Sequence, residues 1–104
     1  MAEARVVLDV GGKRVETTVG TLRAFPDSLL GRRYGNGNTD AEIPFFDRSP
    51  DLVQHLIDCY RQRRAPSANL PPFGVSQDAW ERELAFWEMP TRRARVLRAL
   101  GKDA

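Results

Sequence analysis

The segment VVLDVGGKRVETTV, Val6 to Val19, alternates in polarity on both sides of a glycine pair, and this limits the possible folds more than any other stretch. Val6, Leu8 and Val10 point one way before Gly11 and Gly12, and Val15, Thr17 and Val19 share one face after them. A period of two on both flanks predicts two strands joined by a tight reversal. Paired glycines supply the positive φ angles of such a turn, which valine or leucine adopt only with strain. A phosphate-cradling loop needs a glycine five residues ahead of the Gly-Lys pair and a hydroxyl directly after it. Those places hold Val7 and Arg14, so the spacing excludes that loop. A dinucleotide fingerprint fails as well, because no third glycine opens a helix: Gly12 leads into Lys13, Arg14, Val15 and Glu16. Asp9, beside the turn, reads as an acid solvated at the edge of the ladder.

With 104 residues, 41% of them hydrophobic, the chain is expected to be one domain over residues 1–104 with its own core. A single Cys59 excludes an internal disulfide framework and favours a reducing compartment. The net charge of +2 creates no strong field towards nucleic acid or membrane. The N-terminal region enters an alternating strand, so no secretory signal is expected there. No run approaches the ~20 apolar residues of a membrane-spanning helix.

Further along, Thr21 to Phe25 predicts a short helix stopped by Pro26; Asp27 is then the expected N-cap of a turn through Leu29 and Leu30 that Gly31 ends. Arg32 to Asp40, with Gly35, Asn36, Gly37 and Asn38, reads as a mobile surface loop without a site. Glu42 to Phe46 predicts a strand, followed by a helix capped by Asp47 or Ser49 with Pro50 in its first turn. Leu52, Val53, Leu56, Ile57 and Tyr60 form its apolar stripe. The proline-rich Arg61 to Gly74 reads as a long connection, after which Ser76 caps a helix that buries Trp80, Leu84 and Trp87. Phe86 falls off that stripe and is expected to bury itself against the last helix or a neighbouring subunit. Beyond Pro90, Thr91 caps a final helix, Arg92 to Leu100, with Val96, Leu97 and Leu100 on one side and Arg92, Arg93, Arg95 and Arg98 on the other.

Several chemistries find no constellation. His55 and Cys59 stand four apart, but the histidine lies on the polar side of its helix and no second pair completes a tetrahedral metal site. The arginine-rich face lacks the interleaved aromatics of a nucleic-acid surface and reads as solvated. One histidine, one cysteine and no converging Ser/His/Asp set argue against an enzyme. No cofactor is expected.

Four strings in order, VVLDVGGKRVETTVGTL, FPDSLLG, FFDRSP and ELAFWEM, resemble the cytoplasmic tetramerisation domain of voltage-gated potassium channels, a relative of the BTB/POZ domain. The resemblance runs from about Arg5 to about Met89. The Glu-Leu-x-Phe-Trp string at Glu83 to Trp87 separates the channels from the wider set of tetramerisation domain-containing proteins. The resemblance implies an α+β fold, with a small sheet opened by a hairpin and packed with several short helices. It also implies assembly: four copies in a ring on the cytoplasmic side of a membrane, with a pore domain lying outside this chain. Self-association or pairing with related channel subunits would run through a polar interface, and auxiliary cytoplasmic subunits are further possible partners. Thr17, Asp47 and Arg48 fall at that interface by position, Arg48 pairing across it or inside its own subunit. In the Shab, Shaw and Shal types a zinc ion bridges subunits through one histidine and three cysteines; with one cysteine in the whole chain, zinc is not implied here, as in the Shaker type. The competing implication is a BTB adaptor that recruits a ubiquitin ligase scaffold.

Overall fold

The computed structural model describes residues 4–92; the predicted C-terminal helix lies almost entirely outside them, with only its Arg92 included. Strands β1 (Arg5–Val10) and β2 (Lys13–Thr18) form the predicted antiparallel hairpin, Leu8 opposite Val15 and Val6 opposite Thr17. Gly11 and Gly12 have φ angles of 58° and 92°, both positive as a type I′ turn requires. Asp9 does more than meet solvent: its Oδ1 accepts the Gly12 N–H at 2.9 Å and so ties the strand to the turn. A Cβ on Gly11 would stand 2.6 Å from the Arg48 carbonyl oxygen, because the turn presses against the corner leading into the longest helix.

The third strand, β3 (Phe45–Phe46), lies parallel to β1 and gives the order β2-β1-β3. It is shorter than the predicted Glu42 to Phe46. Pro44 has no N–H to donate and joins only through its carbonyl, which accepts from Asp9 N at 2.9 Å. Parallel pairing requires a crossover, and the segment between β2 and β3 supplies it through two short helices. Helix α1 (Val19–Leu22) begins and ends earlier than the predicted Thr21 to Phe25, since Thr18 caps it by accepting the Thr21 N–H. Helix α2 (Leu29–Tyr34) is capped by Ser28 rather than Asp27, and it runs through Gly31 instead of ending there. The residues after it are tethered too: Asp40 accepts from Tyr34 Oη at 2.5 Å and from Arg33 at 3.1 Å, which contradicts the reading of Arg32 to Asp40 as a free loop.

Helix α3 (Pro50–Gln62) is capped by Ser49, resolving the choice left open with Asp47. It buries Val53, Leu56, Ile57 and Tyr60 and leaves His55 exposed, as the stripe predicts. The connection that follows is not loose throughout. Pro66, Ser67 and Ala68 are buried, and Trp80 Nε1 donates to the Ser67 carbonyl at 3.0 Å. Helix α4 (Gln77–Phe86) is capped by Ser76, and Trp80, Leu84 and the following Trp87 close the core against the inward face of the hairpin and α3.

Tyr60 is 1% exposed and bonds Ser28 through its hydroxyl; burial pushes its phenol up to about 12. The neutral form is the one that folding favours. This contribution is complete below the unfolded tyrosine value near 10 and is lost as pH rises from about 10 to about 12, a span worth about 3 kcal/mol. Tyr34, raised by burial and by its bond to Asp40, acts in the same direction. Denaturant titrations at a series of alkaline pH values should therefore show a steep loss of stability that Tyr60→Phe flattens. An identical alkaline limb in the variant would refute this.

Candidate subunit-contact surface

Two of the strings noticed in sequence meet in space. Arg48, at the corner between β3 and α3, donates to Glu83 on α4 through Nη2 at 2.6 Å and Nε at 3.3 Å. The same carboxylate accepts from Trp87 Nε1 at 2.7 Å, so Glu83, only 4% exposed, has partners for both oxygens. A buried charge is tolerated only when it is paired and hydrogen-bonded in this way. Phe86 covers the pair: the Arg48 guanidinium lies 4.2 Å above its ring centre, within cation–π range. Phe86 also meets Trp87 edge-on at 4.9 Å, and Phe46 packs on the same indole. Within the described residues Phe86 thus packs against its own subunit and stays 39% exposed.

Of the two pairings open to Arg48, the one observed is inside its own subunit. Its Nη1 makes no hydrogen bond among the described residues. Asp47 beside it is exposed, and its carboxylate has no hydrogen bond or ion pair among the described residues. The result is a fixed corner that presents a free anion and part of an anchored cation.

Thr17 lies elsewhere. It sits on β2 four residues beyond Lys13, the first residue after the turn, and so about 13 Å along the strand from the end of the hairpin where Arg48 packs. Its side chain is 6% exposed, and its Oγ1 is buried without a hydrogen-bond partner. It lines a cleft with Arg5 and with Arg61 from the end of α3, whose Nη2 lies 3.5 Å from the Glu16 carbonyl. The fold therefore keeps Asp47 and Arg48 at the turn end of the hairpin and sets Thr17 towards its other end. Glu83 was missed as a site residue. The available signal was its position in the Glu-Leu-x-Phe-Trp string, on the same side of α4 as Trp80, Leu84 and Trp87, where a carboxylate needs a cation.

A second bidentate pair braces the end of α4 from outside: Arg32 donates to both oxygens of Glu88 at 2.9 Å. That bond raises the Arg32 pKa and lowers that of Glu88, but both groups are about half exposed and solvent screens the pair. Among the described residues no group of three or more His, Cys, Asp or Glu is placed to hold a metal ion, and no helix is long and apolar enough to cross a membrane.

A mixed three-stranded sheet with a hairpin, short crossover helices and a polar clamp between the Asp-Arg corner and α4 defines the class. Residues 6–96 match the BTB/POZ domain family, and the chain belongs to it. It is 38% identical over 87 residues to the potassium voltage-gated channel protein Shal of Drosophila melanogaster, a match covering 82% of this chain and 14% of that protein. It is 32% identical over 90 residues to the voltage-gated potassium channel KCNC1 of Mus musculus, covering 80% of this chain and 17% of the channel. The human BTB/POZ domain-containing protein KCTD14 is 39% identical over 70 residues, 64% of this chain and 28% of that protein. The chain thus spans a small part of the length of the curated relatives it matches.

Proposed function

We propose that this chain, as one domain over residues 1–104, is a homotypic assembly domain that joins four potassium channel subunits on the cytoplasmic side of the membrane. Its interface decides which subunits combine. The observation that carries this reading is the similarity to two voltage-gated potassium channels across four fifths of the chain. The geometry suits the task. Asp47 and Arg48 stand on a corner fixed by Glu83, so little ordering entropy is lost when a second copy docks. Thr17 is the third contact, supported by its place beside a cleft lined by Arg5 and Arg61. A polar interface discriminates between partners through charges left unpaired in wrong combinations. Tethering to a pore domain outside this chain raises the local concentration, so modest affinity suffices. The role is binding rather than catalysis, and auxiliary cytoplasmic subunits are further partners of such a ring.

The similarity to KCTD14 favours a second reading, a BTB adaptor for a ubiquitin ligase scaffold. Ring size separates the two. Light scattering coupled to gel filtration, or native mass spectrometry, is expected to return the mass of four copies. Five copies would replace the channel reading with the adaptor, and a monomer at high concentration would refute both.

A further inference from the structure

We propose that the cleft between α3 and the proline-rich connection binds a small amphipathic carboxylate, its acid group held by Arg64 and Arg92 and its apolar body lying against Leu70 and Pro72. The cleft has a volume of about 340 Å³, and Cys59 and Ser67 also line it. That volume falls within the ~300–1,000 Å³ usual for small-molecule sites. The cleft shares no residue with the Asp47 corner or with the depression beside Thr17, so it stands or falls separately from the ring reading.

Three segments wall the cleft, and each is tied down. At the end of α3 the chain turns back through Arg63 at a φ of 54°, and Arg64 N donates to the Cys59 carbonyl at 3.1 Å. The connection is held at its middle by the Trp80 indole, which donates to Ser67 O, and it closes into a turn where Leu70 N reaches the same carbonyl at 3.2 Å. Arg92 pins it from beyond α4: its N donates to Pro66 O at 2.9 Å and its Nε to Ala65 O at 2.7 Å. A cleft built before its ligand arrives loses little ordering entropy on binding.

Two observations point to the occupant. Ser67, a lining residue, is 4% exposed, and its Oγ is buried without a hydrogen-bond partner, a state that folded proteins seldom leave uncompensated. The charges are unmatched as well. Arg64 makes no side-chain hydrogen bond or ion pair among the described residues, and Arg92 has no carboxylate partner among them. The acid of the cleft, Asp58, is already paired with Arg61 at 2.9 Å, and the exposed His55 brings no negative charge. An anion is therefore what the cleft lacks, and a guanidinium can hold a carboxylate through two parallel hydrogen bonds. A bare anion would leave Leu70, 67% exposed, and Pro72 in water, so an apolar body attached to the acid fits the remaining wall. Residues 93–104 are a poor match for the same place: Arg93, Arg95, Arg98 and Lys102 against Asp103 add to the positive charge rather than balance it.

Cys59 is the only cysteine of the chain and lines the cleft, so its thiol reports occupancy. The full chain is treated with iodoacetamide, an uncharged thiol reagent, at fixed pH in the presence of octanoate, acetate or octanol. Octanoate at about ten times its dissociation constant should slow alkylation of Cys59 about tenfold, because only the free fraction reacts. Acetate lacks the apolar body and octanol lacks the charge, so each should protect far less at the same concentration. Arg64→Gln should weaken octanoate binding at least about tenfold, the lower range for a hydrogen bond to a charged group. Ser67→Ala should weaken it too without lowering the stability of the ligand-free domain, since the hydroxyl it removes has no partner to lose. Circular dichroism checks that both variants remain folded. Protection by acetate or octanol equal to that by octanoate, or undiminished protection in the folded Arg64→Gln variant, would overturn the site. A parent thiol that stays inert to iodoacetamide until urea is added would mean that a protein segment already covers the cleft, and would overturn it as well. The mass of the assembly, which tests the ring reading, is unaffected by any of these results.

Discussion

Replacing Glu83 by alanine is expected to destabilise the domain by about 3–5 kcal/mol, the range found when one partner of a buried ion pair is removed. The size of the effect comes from what is left behind. Arg48 keeps its charge at the corner of β3 and α3 with the carboxylate gone, and Trp87 Nε1 loses its acceptor inside the core. Trp87 is fully buried and cannot turn to water, and Arg48, only 29% exposed and packed on Phe86, reaches it in part. Glu83→Gln should lose less: its amide oxygen still accepts one of these bonds, although the charge is gone. Replacing both partners by apolar residues, Arg48→Met with Glu83→Leu, should recover much of the loss, since an unpaired buried charge costs more than the pair contributes. Urea unfolding followed by tryptophan fluorescence reads all three variants. A Glu83→Ala variant that loses less than about 1 kcal/mol, the worth of an exposed pair, would show that this clamp is solvated in solution.

The elements that sequence made legible are those whose signal is local. The hairpin announces itself because alternation and paired glycines occupy adjacent residues, and the register of β1 on β2 follows from the turn between them. The stripes of α3 and α4 and the cap Ser76 are legible for the same reason, whereas the α3 cap is narrowed only to Asp47 or Ser49. The misread features depend on something distant in the chain. Gly31 looks like a helix stop, yet it is a helix interior against which the Phe25 carbonyl packs. Asp40 looks like loop composition until Tyr34 and Arg33 are placed beside it. Pro66 to Ala68 look like linker until Trp80 reaches back to Ser67.

The same division holds for the candidate site. Thr17, Asp47 and Arg48 were selected by resemblance, which preserves position in a motif but carries no distance. Structure adds that Arg48 is held by Glu83 in its own subunit and that Thr17 lines a cleft with Arg5 and Arg61, away from the Asp47 corner. A flank built around Thr17 and Arg61 joins residues separated by most of the crossover and α3, so no local periodicity pointed to it. Alternation did place Thr17 on the face of Val15, and the structure buries both. That inward placement explains the unpartnered hydroxyl: a position on the core side of an edge strand shields the side chain while leaving it beside a cleft.

Gly31→Ala should be strongly destabilising, and its sign is opposite to the usual one. In an ordinary helix interior, alanine is favoured over glycine by about 1 kcal/mol through backbone entropy. Here the added Cβ would stand 1.9 Å from the Phe25 carbonyl oxygen and 2.8 Å from its carbon. Both atoms are backbone, so no rotamer change relieves the overlap; α2 must move away from the Phe25–Pro26 bend. That bend is held in turn. Ser28 Oγ donates to Phe25 O at 2.7 Å and bonds the Tyr60 hydroxyl, and Leu29 N donates to Trp87 O at 2.9 Å. Displacing α2 therefore loosens the cap, the Tyr60 hydrogen bond and the contact with the end of α4 together. The expected loss exceeds the ~1–3 kcal/mol of ordinary overpacking. Against the 5–15 kcal/mol typical of a whole domain, such a change leaves a large fraction of chains unfolded at physiological temperature. Gly12→Ala is the matched control for simple glycine replacement, because its Cβ meets nothing within 4 Å and only the φ of 92° opposes it. Thermal unfolding of the two variants beside the parent should rank Gly31→Ala far below Gly12→Ala. Equal or higher stability for Gly31→Ala would mean that Phe25 and α2 are not packed backbone to backbone.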